Sequence, residues 1–202
     1  MRRIALLKTL LVVLVSSAAL AARADEIEVR EALLAPSEEG IALSADFAFE
    51  LNPRLAEVVA NGVPLYFVVE FELTRARWWW FDEKAAAKRM QLRLSYHALS
   101  RQYRLSTGLL QQNFPSLDQA LHVLRRVRNW LVVERTVPLA DATYEAAVRM
   151  RLDGTLLPKP FQLSALTTRE LNLESPWRRF SYRPVFAPAP VESREPKEAN
   201  AR

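Results

Sequence analysis

Apolar and polar side chains alternate with a period of two residues along much of this chain, and that pattern limits its folds more than any other feature. Ile41, Leu43, Ala45, Phe47, Phe49 and Leu51 form one row, with Ala42, Ser44, Asp46 and Glu50 between them. Successive side chains of an extended backbone point to opposite faces, so such a row builds a strand half in a core and half in water. A second row runs Val63, Leu65, Phe67, Val69, Phe71 and Leu73. Tyr66 and Val68 make its first half apolar on both faces, which predicts cover on both sides there. Glu70, Glu72 and Thr74 then restore a polar face. Met90, Leu92, Leu94, Tyr96 and Ala98 form a third row, and Tyr144, Ala146, Val148, Met150 and Leu152 a fourth. Shorter candidates lie at residues 26–34, 103–110 and 130–137. Rows of this kind are the signature of antiparallel sheets.

Two stretches break the alternation. Asn52-Pro53 offers an N-cap followed by proline at the first helical position, Leu55, Val58 and Val59 give an apolar side, and Gly62 suits a left-handed C-terminus. Ser116-Leu117-Asp118-Gln119 reads as a capping box, and Leu117, Ala120, Leu121, Leu124, Val127 and Leu131 recur at helical spacing. The expected fold is mainly β. It is an antiparallel sandwich, with an immunoglobulin-like architecture among its possible forms, carrying a short helix at about 53–60 and an amphipathic helix at about 116–130.

The ends differ from this body. Arg2 and Arg3 precede an uninterrupted apolar and small stretch, Thr9 to Ala22, which is shorter than the roughly 20 residues a membrane-crossing helix needs. Ala22 and Ala24 fit a signal peptidase cut. The expectation is a signal peptide over 1–24, removed after about Ala24, and a periplasmic product, with an uncleaved inner-membrane anchor as the alternative. A single β-rich domain is expected over 25–182, with no second membrane span. Residues 183–202, with Pro184, Pro188, Pro190 and Pro196 among Ala, Glu and Lys, read as a disordered tail.

Processing would also remove Arg2, Arg3, Lys8 and Arg23, four of the five excess positive charges of the whole chain. The remainder is nearly neutral, which turns the reading away from nucleic acid. Its charge is nonetheless segregated: residues 25–74 hold 2 basic and 11 acidic side chains, and residues 75–135 hold 12 and 4. Either acidic early strands pair with basic middle ones, or the molecule carries a basic face for a polyanionic envelope component.

Arg75-Ala76-Arg77-Trp78-Trp79-Trp80-Phe81-Asp82 is the most unusual local sequence. If the strand continues, Trp79 and Phe81 share a face with Phe71 and Leu73, and Trp78 and Trp80 point the other way. Either the amphipathic helix covers that second pair or it forms an exposed aromatic patch among cations. The binding candidates are therefore Arg75, Arg77, Trp78, Trp80, Lys88 and Arg89. Glu70 and Glu72 share a strand face at a spacing a two-carboxylate hydrolase can use, yet opposite Arg89 or Arg93 they form plain ion pairs. His97 and His122 have no third ligand near them in sequence, the chain has no cysteine, and no nucleophile elbow, P-loop or dinucleotide fingerprint occurs. No catalytic residue, metal site or cofactor is assigned.

The signal peptide, Arg77-Trp78-Trp79 to Asp82, Arg151-Leu152-Asp153 with Leu157-Pro158-Lys159-Pro160-Phe161-Gln162, and Glu174-Ser175-Pro176-Trp177 together resemble an uncharacterised proteobacterial family, domain of unknown function 4390. The resemblance covers nearly all of the chain after its leader and brings no activity with it. Its members often stand beside an NtrY-like sensor histidine kinase, which implies an envelope accessory role. The leading expectation is a non-enzymatic periplasmic binding or accessory module whose partner is an envelope protein, glycan or lipid. The alternatives are a partner of such a kinase and an envelope glycan- or lipid-acting enzyme using Glu70, Glu72 or Asp153.

Overall fold

The row through Leu65, Phe67, Val69, Phe71 and Leu73 becomes the centre of the molecule in the computed structural model, which describes residues 26–75, 83–159 and 173–184. It lies on β3 (Leu65–Arg75), where each of the five side chains is 1% exposed or less. β3 is flanked by β4 (Glu83–His97) and by β8 (Tyr144–Leu152), both antiparallel to it. The sheet continues past β4 to β5 (Gln102–Thr107) and β6 (Leu110–Phe114), and past β8 to β9 (Arg178–Tyr182). Its order is β6-β5-β4-β3-β8-β9. The fourth sequence row supplies the inward side of β8: Tyr144, Ala146, Val148, Met150 and Leu152 are all buried.

A second sheet of three strands covers this inner face. It has the order β1-β2-β7, from β1 (Glu28–Ser37), β2 (Gly40–Ala48) and β7 (Arg126–Glu134). Ile41, Leu43, Ala45 and Phe47 point from β2 into the same apolar cluster as the β3 row, and Phe49 just beyond stacks on Phe67 at 5.5 Å between ring centroids. The architecture is an antiparallel β-sandwich, with strands divided three and six among the described residues. A constant immunoglobulin domain divides four and three. Gly40 holds the β1–β2 turn against β7: at φ +148° it has no side chain, and a Cβ there would lie 2.1 Å from the Val133 carbonyl oxygen.

The first helix, α1 (Pro53–Ala60), forms where the sequence places it. The Asn52 side chain accepts from the Leu55 N–H, and Leu55, Val58 and Val59 are buried. The second, α2 (Leu117–Leu124), starts at the expected cap, where Ser116 Oγ accepts from the Gln119 N–H, but it is shorter than predicted. The chain turns extended at Arg126, and Val127 and Leu131 lie on β7, paired with Ala45 and Ala42 of β2. Val132 and Val133 reward that choice with burial, and β-branched residues favour strand over helix. The stretch at 103–110 also resolves differently, into two strands joined at Gly108, whose φ of +57° makes the reversal. Residues 1–25, with the expected leader, and 185–202, with most of the expected tail, lie outside the described residues. Among those that are described, no helix is long and apolar enough to cross a membrane.

Candidate functional site

Strand parity decides where the expected site residues go. Register places Glu70 opposite Arg89 of β4 on one side and Arg149 of β8 on the other, all on the face turned away from the second sheet. Arg151, two residues along β8, joins them on that face. Glu70 is 4% exposed and meets three guanidinium groups: Arg149 Nε at 2.6 Å, Arg89 Nε at 3.1 Å and Arg151 Nη2 at 3.6 Å. Burial pushes the Glu70 carboxyl up, and the hydrogen bond from Arg149 with the charges of Arg149, Arg151 and Arg89 more than reverses this, leaving it below the usual carboxylate range. A group held ionised in this way cannot serve as a general acid near neutral pH.

An aromatic ring completes the cluster. Arg149 sits over the Trp177 ring at 4.6 Å from guanidinium carbon to centroid, so its planar head is held between a carboxylate and an indole. Trp177 arrives there through Ser175, which is buried. The Ser175 N–H donates to the Met150 carbonyl at 2.9 Å, and its hydroxyl accepts from the Met150 N–H at 3.0 Å. One residue thus satisfies both backbone groups of Met150. Leu152 N–H donates to the Leu173 carbonyl at 2.7 Å, and Arg151 forms a bridge with Glu174. The stretches at 151–153 and 174–177 therefore meet along the end of β8.

The other two candidate carboxylates, Glu72 and Asp153, have separate fates. Glu72 shares the face of Glu70 but takes Lys84 at 2.8 Å near the solvent. Asp153 caps a 3-10 turn (Gly154–Leu156) by accepting from the Thr155 N–H at 3.2 Å, and lies 3.8 Å from Arg151. Arg151 is thus the link between Glu70 and Asp153.

Of the three expected binding residues that lie among the described ones, Arg75, Lys88 and Arg89, only Arg89 stands on this outer face. Lys88 has the parity of the core row, opposite Phe71, and reaches across to Glu134 of β7 at 2.7 Å. The charge of Lys88 and its hydrogen bond hold the Glu134 carboxyl below the usual range. Arg75 pairs with Glu83 across the start of β4. Arg77, Trp78 and Trp80 lie outside the described residues. Arg149 and Arg151 were absent from the expected site although the signal was present: two arginines flank a buried Met150 with the same period that flanks Glu70 by Val69 and Phe71. Only the register brings those two patterns side by side.

His97 lies at the end of β4, with its Nδ1 3.1 Å from Ser100 Oγ, and His122 is exposed in the last turn of α2. No group of three or more His, Cys, Asp or Glu able to hold a metal ion occurs among the described residues.

A family model described as a domain of unknown function, DUF4390, matches residues 24–181. The chain belongs to the DUF4390 family. The match spans the two sheets and two helices of the described residues of this DUF4390 chain, and therefore the whole Glu70 cluster. Neither the curated proteins nor the solved structures contain a match to it.

Proposed function

We propose that this DUF4390 chain is an exported, periplasmic binding module of the cell envelope, without catalytic activity of its own, that docks an anionic partner on the outer face of its six-stranded sheet. The observation that carries the reading is the Glu70 cluster. One carboxylate fixes three guanidinium groups on a sheet face, and Arg89 keeps three-quarters of its side chain in solvent while so held, at 76% exposed. Elsewhere on the face Lys84 is paired with Glu72 and Arg179 with Glu145. Arg93 on β4 and Arg104 on β5 add two further cations, and the face also carries Asp153 and Glu174, both next to Arg151. Arg93 lies over the Tyr66 ring at 5.9 Å, which orients a further guanidinium without neutralising it. Prepositioned guanidiniums suit carboxylate and phosphate groups, because little side-chain freedom remains to be lost on binding.

In-cell photocrosslinking from positions 89, 93 and 78, with Leu33 on β1 as the control position, tests this. Crosslinks to an envelope component from 89 and 93, reduced in Arg89→Glu and Arg93→Glu chains and by raised salt, are the expected result. Crosslinks confined to the chain itself, or the same products from position 33, would overturn it.

A further inference from the structure

A second surface, distinct from the charged face, arises because the two sheets have unequal widths. β7, at the edge of the three-stranded sheet, faces β4, so β5 and β6 extend beyond that sheet, and α2, at two turns, packs on β5 and β6 before the chain turns into β7. What remains is a cleft of about 410 Å³. Its floor is Leu92, Leu105 and Val127, all buried, and its walls include Met90 and Val123, both half-buried. At the lip Leu110 is 62% exposed, and Leu109 beside it on the hairpin turn is fully so.

The rim is cationic. His122, Arg126 and Arg128 line the opening. Asp46 is shared between the two arginines: it holds Arg128 Nη2 at 2.6 Å and stands 4.0 Å from Arg126 Nε, the limit of an ion pair. Both arginine side chains remain about half exposed, at 53% and 50%. An apolar slot ending at a partly compensated arginine pair calls for a ligand with a long apolar body and a negative head. The volume lies near the small end of the range for small-molecule sites, which suits one chain.

We infer that the cleft between α2 and the β5–β6 hairpin binds a single-chain amphiphile with an anionic carboxylate head, its tail on Leu92, Leu105 and Val127 and its head at Arg126. Above that buried floor the tail covers the apolar surface of Met90, Val123 and Leu110 that the other described residues leave open, and the head meets Arg126 where Asp46 is too far to satisfy it. This site and the Glu70 face lie on different surfaces, so either reading can fail without the other.

Calorimetric titration of the purified chain with dodecanoate below its micelle concentration provides the test, with a neutral dodecyl glucoside and dodecyltrimethylammonium as head-group controls. The expected result is one saturable site for dodecanoate and roughly tenfold weaker binding of both controls. Arg126→Glu is expected to lower dodecanoate affinity by about tenfold while leaving the glucoside unchanged. Val123→Trp fills the cleft and should abolish binding of all three. Leu110→Asp, at an exposed position that does not endanger the fold, should weaken all three. Equal affinity for the three heads, no saturable binding, or dodecanoate binding indifferent to Arg126→Glu and Leu110→Asp would overturn the proposal. So would association with anionic phospholipid vesicles in the absence of dodecanoate binding, which would make the Leu109–Leu110 turn a membrane contact.

Discussion

On its inner side β3 presents Leu65, Phe67, Val69, Phe71 and Leu73 to other apolar groups, whereas on its outer side Val68 and Glu70 are almost as inaccessible, at 5% and 4% exposed, beneath a layer of arginines. Similar burial thus rests on two kinds of cover. Inside, the constraint is volume, because a close-packed interior cannot refill a lost ring. Outside, it is charge: a carboxylate out of water is tolerable only while guanidiniums surround it. The inner face accordingly specifies shape, and the outer face specifies which charged partners must stay together.

The contrast can be broken in a graded way. Phe71→Ala should have the largest effect, about 3–5 kcal/mol in urea unfolding. Glu70→Ala should follow, at about 2–3 kcal/mol, less than for a fully enclosed pair because Arg149 and Arg151 keep 29% and 27% of their side chains in reach of water. If Glu70→Ala costs no more than Arg89→Ala, the outer face has no anchored centre.

A pH series sharpens the same point. The folded Glu70 carboxyl titrates below its ordinary 4.5, so its contribution is complete above that value and is lost as pH falls through the lower, folded value. Glu70→Gln should remove this acid-dependent part of the stability loss and leave the urea midpoint less pH-dependent below pH 4.5. Trp177→Ala is expected to cost about 1 kcal/mol by uncovering one face of Arg149, beyond any packing loss. Lys88→Ala should leave the urea midpoint unchanged within error. Lys88 has core parity, but it pairs with Glu134 in solvent, so its result separates parity from burial.

Much of the sandwich was legible in the sequence because period-two rows report a buried face directly, and Asn52-Pro53 marked α1 through cap chemistry that acts locally. The end of α2 was not legible in the same way. Val127 and Leu131 fit a helical spacing as well as a strand, and only the vacancy beside β2 decided between them. The candidate site was the least accessible part. The candidates from Arg75 to Arg89 read as one surface, but extended backbone sends Lys88 and Arg89 to opposite faces. The companions of Arg89 come from β8, and Arg149 is 79 residues from Glu70 in the chain. No local pattern encodes such a register.

That separation sets an order of events. β3 to β6 form a meander between neighbours, available as soon as residues 65–114 exist. Both pairings that finish the sandwich close long loops: β3 with β8, as in the contact of Glu70 with Arg149, and β2 with β7, where Asp46 and Arg128 are 82 residues apart. Until β7 and β8 arrive, the meander offers an unpaired β3 edge beside an uncovered apolar face, a template for joining other chains. Folding from denaturant should therefore be slow for a domain of this size, and its yield should fall as concentration rises.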